Sequence, residues 1–212
     1  MKFSPINLII ISTSCLLIGC KTFRNQKAIS ELKDNPLIEK MYFKDIELRK
    51  IDAKTDTVIL ENYDKIHREK IFELLANNGV KTPIDKYRSA LILQHTAAKI
   101  CDGQITSISS ENFLLAFKLS SAALNELKLN NETIYIEKEN IPRMVALNYD
   151  RYLLFTFGHQ KYGTQFVFDE LTGEMLLAPI DTTLSNDEER KKYNVETLDQ
   201  LLKKHKIKPM QR

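Results

Sequence analysis

From Asn35 to Asn148 the apolar residues recur at three- and four-residue intervals, and clear alternation begins only after Asp150. That late change of period constrains the fold more than any other feature of the chain, because helices and strands bury one face at different spacings. Asn35-Pro36 is a helix start, with asparagine as cap and proline at the first helical position. Leu37, Met41, Leu48 and Ile51 follow at roughly helical spacing. Ile66, Ile71, Leu74 and Leu75 mark a second helix from Tyr63 to Asn78, stopped by Asn78-Gly79. A third helix is expected from about Asp85 to Ile100, apolar nearly all round and therefore central. A fourth covers 109 to 129, and a short one starts at Asn140 and runs to about Asn148. Thr133–Ile136 reads as a short strand. Tyr152–Phe157, Gln165–Phe168 and Glu174–Leu177 alternate, and Leu171-Thr172-Gly173 is a turn signal. Two short helices, Asn186–Tyr193 and Val195–His205, complete the reading. The expected fold is α+β: a mainly helical single domain with a small antiparallel meander near residues 150–180.

The amino-terminal residues are not part of that domain. Lys2 is a short basic region, and Ile6–Ile18 is an apolar run too short to span a bilayer comfortably. It ends Leu17-Ile18-Gly19-Cys20, which resembles the bacterial lipobox. That resemblance implies cleavage after Gly19, with diacylglycerol on the Cys20 thiol and acylation of the new amino group. Residues 1–19 are then a lipoprotein signal peptide, 20–34 a polar lipid-anchored tether, and 35–212 the globular domain. Lys21 follows the cysteine where some sorting signals carry aspartate. By analogy this places the protein in the cell envelope, at the outer membrane and facing the periplasm. Cys15 leaves with the signal and Cys20 is lipidated, so Cys101 has no intramolecular disulfide partner.

Formal net charge is +3 over 212 residues, with acids and bases interspersed. That is no footprint of a nucleic-acid binder. His67, His95, His159 and His205 show no close ligand pairing, and no phosphate-cradling or dinucleotide fingerprint occurs. No metal and no cofactor is expected. The expected partners are the membrane, through Cys20, and an unidentified ligand or protein.

The stretch DRYLLFTFGHQKYGTQ, Asp150 to Gln165, carries more hydrogen-bonding side chains than a core strand needs. Together with Asp45, Arg49, Gln94 and His95 it resembles a functionally uncharacterised bacterial family, a domain of unknown function. That family is marked by D-Q-x-x-R, Q-H-A-D, D-R and G-x-x-Q-x-Y-G-T-Q. Asp45 and Arg49 match the first motif, Gln94-His95 the second and Asp150-Arg151 the third. Gly158, Gln160, Tyr162, Gly163, Thr164 and Gln165 match the last in full, and Glu189-Arg190 match a closing segment. Ile46 replaces the glutamine of the first motif. Val80 stands where the family has tryptophan, and Ala97 occupies the acidic position after Gln94-His95. The resemblance implies a residue list and no reaction.

Two functions suit that list. In one, Asp45, Arg49, Gln94, His95, Asp150, Arg151, Gln160, Tyr162, Gly163, Thr164 and Gln165 form a polar network inside a binding or interaction module. In the other, His95 is the general acid/base of a small metal-independent hydrolase or transferase. Asp45 or Asp150 would orient it, Arg49 or Arg151 would hold an anionic group, and Tyr162 would donate to developing charge. Both readings require these residues to converge. Arg49 and Arg151 should find acceptors in Asp45 and Asp150, and His95 a partner in Gln160 or Tyr162.

Overall fold

A computed structural model describes residues 32–50, 57–95, 98–101, 104–107 and 109–209. The signal segment, Cys20, Ile51 and Ala97 lie outside the described residues, as does the Cys101 side chain. Residues 34–212 form one compact unit, and the account below concerns it.

Helix α1 is Pro36–Lys50. Asn35 caps it, its Oδ1 accepting from the Leu37 amide at 3.0 Å. The same residue donates its own amide to Asp85 at 2.8 Å and its side-chain amide to the Gly79 carbonyl at 3.0 Å. One cap therefore fixes α1 to the turn before α3. Helix α2, Thr57–Ala76, ends as Asn78-Gly79 suggested. Asn78 takes φ 53°. The Gly79 and Asn78 amides close on the Leu74 and Leu75 carbonyls, the Schellman arrangement. Helix α3, Pro83–Gln94, opens with a capping box between Thr82 and Asp85 and is buried on almost every side.

The third helix stops six residues short of expectation. Gln94 is its last residue, and Ala98–Cys101 (β1) pairs antiparallel with Gln104–Ser107 (β2). Residues 102–103 lie outside the described residues. In that register Ile100 lies opposite Ile105.

Helix α4, Ser110–Leu129, packs along α3 and α6. Helix α5, Thr133–Lys138, occupies the stretch read as a strand. A strand would place Ile134 and Ile136 on one face. Only Ile136 is buried, while Ile134 is 82% exposed, and a helical turn satisfies that difference. Helix α6 runs unbroken from Ile141 to Phe157, so the expected strand at Tyr152–Phe157 does not form. Its buried residues Ile141, Pro142, Val145, Ala146 and Leu153 sit on helical spacing. Gly158, at φ 76°, ends it by donating to the Leu154 carbonyl at 3.0 Å.

The sheet in the expected region is a hairpin of Phe166–Asp169 (β3) and Glu174–Leu177 (β4), in antiparallel register Phe166 to Leu177. Its further neighbour is the backbone at Ile207. The Leu177 amide donates to the Lys206 carbonyl and the Lys208 amide to the Leu177 carbonyl, each at 2.9 Å. Helices α7, Asp187–Lys192, and α8, Leu198–Lys204, are capped by Asn186 and Thr197. The architecture is thus mainly helical α+β, with α3, α4 and α6 as its core. Among the described residues no helix is long and apolar enough to cross a membrane.

Candidate functional site

Asp150 lies on α6 with no exposed surface. Its Oδ1 accepts the amides of Lys161 and Tyr162, each at 2.8 Å. Its Oδ2 accepts the Gly163 amide at 2.9 Å, the Thr164 amide at 3.0 Å and the Thr164 hydroxyl at 2.9 Å. Burial pushes this carboxyl up from its ordinary pKa, and the surrounding donors oppose that rise. The loop bends around the carboxylate because Gly163 takes φ 97°. A Cβ at that position would also sit 2.6 Å from Leu201 Cδ1.

The neighbouring residues complete the loop. Gln160, fully buried, accepts the Gln165 amide at 2.7 Å and donates to the Gln165 and Ala178 carbonyls at 3.0 and 2.9 Å. It mimics a piece of strand where no strand runs. The Tyr162 hydroxyl donates to Glu189 at 2.9 Å, and Lys161 Nζ meets the same oxygen at 2.8 Å. Burial and Glu189 together push the Tyr162 phenol well above its usual range. Burial would also raise Glu189, but Lys161 and Tyr162 outweigh it and hold that carboxyl below normal.

A second polar focus joins α1, α2 and α3. Asp45 is buried on α1, and His95 Nδ1 lies 3.1 and 3.0 Å from its two oxygens. Arg49 Nη1 lies 2.9 Å from Asp45, at ion-pair distance though without hydrogen-bond alignment. Arg49 Nη2 reaches both oxygens of Asp64 at 2.8 and 2.9 Å. His95 Nε2 lies 3.4 Å from the Gln94 amide nitrogen. Burial lowers the His95 pKa, Asp45 opposes the shift, and Arg49 and Arg151 add to it. The neutral ring then donates from Nδ1 to Asp45 and accepts from Gln94 at Nε2.

Arg151 bridges the two foci. Its Nη1 donates to the Gln94 backbone carbonyl at 2.7 Å and its Nε to Gln165 at 3.3 Å. Its guanidinium lies 5.6 Å from the Phe113 ring centroid. The Gln94 carbonyl belongs to the last turn of α3, so Arg151 satisfies a helix terminus with a cation. Gln165 continues the chain to Thr164 at 3.1 Å, and Thr164 to Asp150.

The expected residues therefore come together as two linked foci, with two changes of partner. Asp45 pairs with Arg49 as anticipated, but Asp150 does not pair with Arg151. The loop amides occupy both Asp150 oxygens, and Arg151 takes neutral acceptors instead. His95 is partnered by Asp45 and Gln94, whereas Gln160 and Tyr162 are engaged elsewhere.

Sequence reasoning missed Asp64 as Arg49's second acceptor. The signal was its place three residues before buried His67 and seven before buried Ile71, on the inner face of α2. It also missed what Arg190 does. That side chain, 1% exposed, donates to the Tyr162 carbonyl at 3.3 Å and the Lys161 carbonyl at 3.4 Å. Among the described residues, no three histidine, cysteine, aspartate or glutamate side chains are placed to share one ion. An open groove of about 940 Å³ lies between α1 and α2, bordered by Leu37, Met41, Phe43, Tyr63, Ile66 and His67.

Comparison with protein families, with curated proteins and with solved structures finds no match.

Proposed function

We propose that residues 34–212 are a binding or interaction module, carried at a membrane on lipidated Cys20, and that the Asp45–Asp150 network holds that module together. The observation that supports this reading is occupancy. Both Asp150 oxygens accept loop donors, both His95 nitrogens face a partner, and Arg151 is engaged with a helix terminus. Around Asp150 the buried polar groups are paired, which locks packing without offering a free reacting atom, although Asp45 Oδ2, Arg49 Nη1 and Gln94 Oε1 in the second focus have no hydrogen-bond partner. The lipid anchor rests on Leu17-Ile18-Gly19-Cys20, and Lys21 supports an outer-membrane, periplasm-facing site.

A second reading rests on the Asp45–His95 pair. A carboxylate on Nδ1 is the arrangement that orients a histidine base, and the His95 side chain keeps 18% of its surface exposed. The 3.4 Å contact at Nε2 is long enough to yield to a substrate. One experiment separates the two. The wild-type protein and His95→Ala are incubated with a broad panel of ester, amide and phosphoester substrates, and the unfolding midpoint of each is measured. The module reading expects no turnover that depends on His95 and a lowered midpoint for the variant. Turnover lost in His95→Ala with an unchanged midpoint would reverse the assignment. For the anchor, Cys20→Ala should leave the membrane fraction and lose the acyl mass; unchanged fractionation would refute it.

A further inference from the structure

The focus around Asp45 is less completely paired than the Asp150 loop, and the shortfall centres on Arg151. Its acceptors, the Gln94 carbonyl and Gln165 Oε1, are both neutral and are reached by Nη1 and Nε. Among the described residues Nη2 engages no acceptor, and it keeps contact with solvent. No carboxylate of the described residues lies within ion-pair distance of this guanidinium, while burial and the Arg49 charge both work against its cation. Cations drawn out of water are ordinarily paired with an anion.

His95 borders the same place, because Arg151 grips the carbonyl of the residue just before it. The His95 side chain keeps 18% of its surface, and its Nε2 faces only the Gln94 amide nitrogen, at 3.4 Å. A ligand oxygen can displace so long a contact. Gln94 is nine-tenths buried, yet its Oε1 has no partner, so the amide is not locked from both ends. Arg151 Nη2, the Gln94 amide nitrogen and a protonated His95 Nε2 are all donors. An oxyanion is the ligand that such donors select.

Formal charge decides which oxyanion. Asp45 and Asp64 each bring one negative charge, Arg49 and Arg151 each one positive charge. His67 and His95 are neutral rings whose pKa burial lowers. The focus is therefore balanced in itself. A monoanion adds one negative charge, and one proton taken from solvent restores the balance. Asp45 sits on His95 Nδ1, whereas no carboxylate of the described residues lies within ion-pair distance of the His67 ring, so the proton settles on His95. Its Nδ1–H stays on Asp45 and its new Nε2–H turns to the ligand. A dianion would leave a negative charge uncompensated beside two carboxylates.

We propose that Arg151, His95 and the Gln94 amide bind one carboxylate group of a small-molecule ligand, and that His95 takes up a proton as it binds. This site deepens the binding-module reading and rests on it. That reading falls on turnover that depends on His95, whereas the site falls on the titration below.

The test uses the full chain purified from membranes in mild detergent, with carbon-13-labelled histidine followed by NMR between about pH 8 and 4.5. The His95 signal is the one lost in His95→Gln. Sodium formate, ionised throughout, is compared with sodium chloride at equal ionic strength. Formate should raise the His95 pKa by about one pH unit, a tenfold preference for the protonated ring, and leave His159 and His205 unmoved. Sulfate, a dianion over this range, should raise it less. Arg151→Met, with circular dichroism like wild type, should lose the rise; the wild-type comparison of formate, sulfate and chloride decides the matter even if this variant does not fold. The proposal is overturned by a His95 pKa equal in formate and chloride, or by a rise shared with His159 and His205. Sulfate matching formate, or a full rise in folded Arg151→Met, overturns it too.

Discussion

Asp150 and Arg190 hold the same loop through opposite backbone groups. The carboxylate takes amides from Lys161 to Thr164, and the guanidinium takes the carbonyls of Lys161 and Tyr162. The two side chains come from α6 and α7, so the loop fixes these helices to each other. Asp150→Asn tests this. Asparagine supplies one oxygen where two were used and turns its amino group toward N–H donors. Leaving such buried groups unpaired costs roughly 1–3 kcal/mol each, so a loss of more than about 3 kcal/mol is expected. Urea unfolding followed by circular dichroism reads it; a midpoint within error of wild type would show that the clamp does not matter.

The two glycines that border this loop should differ sharply. Gly158 and Gly163 both have positive φ, but a Cβ at Gly158 meets nothing within 4 Å, whereas one at Gly163 meets Leu201 Cδ1 at 2.6 Å. Gly158→Ala carries only the left-handed penalty of about 1–2 kcal/mol. Gly163→Ala adds a displacement of core Leu201 and should cost clearly more. Equal unfolding midpoints for the two variants would contradict the geometry.

Arg151→Met should be milder than the loss of a buried ion pair. The severe penalty for breaking such a pair arises because a charge is left behind. Arg151 has no carboxylate to abandon. Its removal frees the Gln94 carbonyl and Gln165 Oε1, two part-buried acceptors at the lower end of the roughly 1–3 kcal/mol that each orphaned group costs. A loss above about 5 kcal/mol, measured by the same urea titration, would mean that its charge is balanced by something beyond these contacts.

Acid should weaken the fold beginning near pH 6.5. Burial lowers the pKa of both His95 and His67 from their ordinary value of 6.5. Below that pH the unfolded chain binds protons at these positions more readily than the folded one. Stability is therefore complete above about 6.5, and it declines as pH falls toward the folded-state values. His95→Gln should flatten the part of the pH–stability curve due to this residue. Stability that rises on acidification from pH 7 to 5.5 would have the wrong sign.

Much of this was readable from sequence where a residue had a local job. Asn35-Pro36 and Asn78-Gly79 punctuate helices by rules that need no tertiary information. Asp45 and Arg49 sit four apart, so their contact follows from helix geometry alone. The polar residues of Gly158–Gln165 announced themselves by excess, and they are indeed engaged. What failed depended on distant partners. Tyr152–Phe157 can alternate or wind, and the C-terminal half of α6 winds because Leu153 finds its buried place there. Short apolar runs are ambiguous in this way. Ala98–Cys101 fits the tail of a helix or a strand, and only the pairing of β1 with β2 decides. Arg190 matched a closing segment by resemblance alone, and its role was hidden because the carbonyls that need it lie 28 and 29 residues away.

The bridge between Leu177 and Ile207 bears on how the molecule withstands proteolysis. Residues 206–208 occupy the outer rim of β4, taking the amide and carbonyl of Leu177 that would otherwise face water. Clipping the backbone after Lys204 would leave every helix intact and strip that rim. A bare strand rim recruits other chains. The damage would therefore appear as slow aggregation of a still-helical protein, with little change in its helical signal.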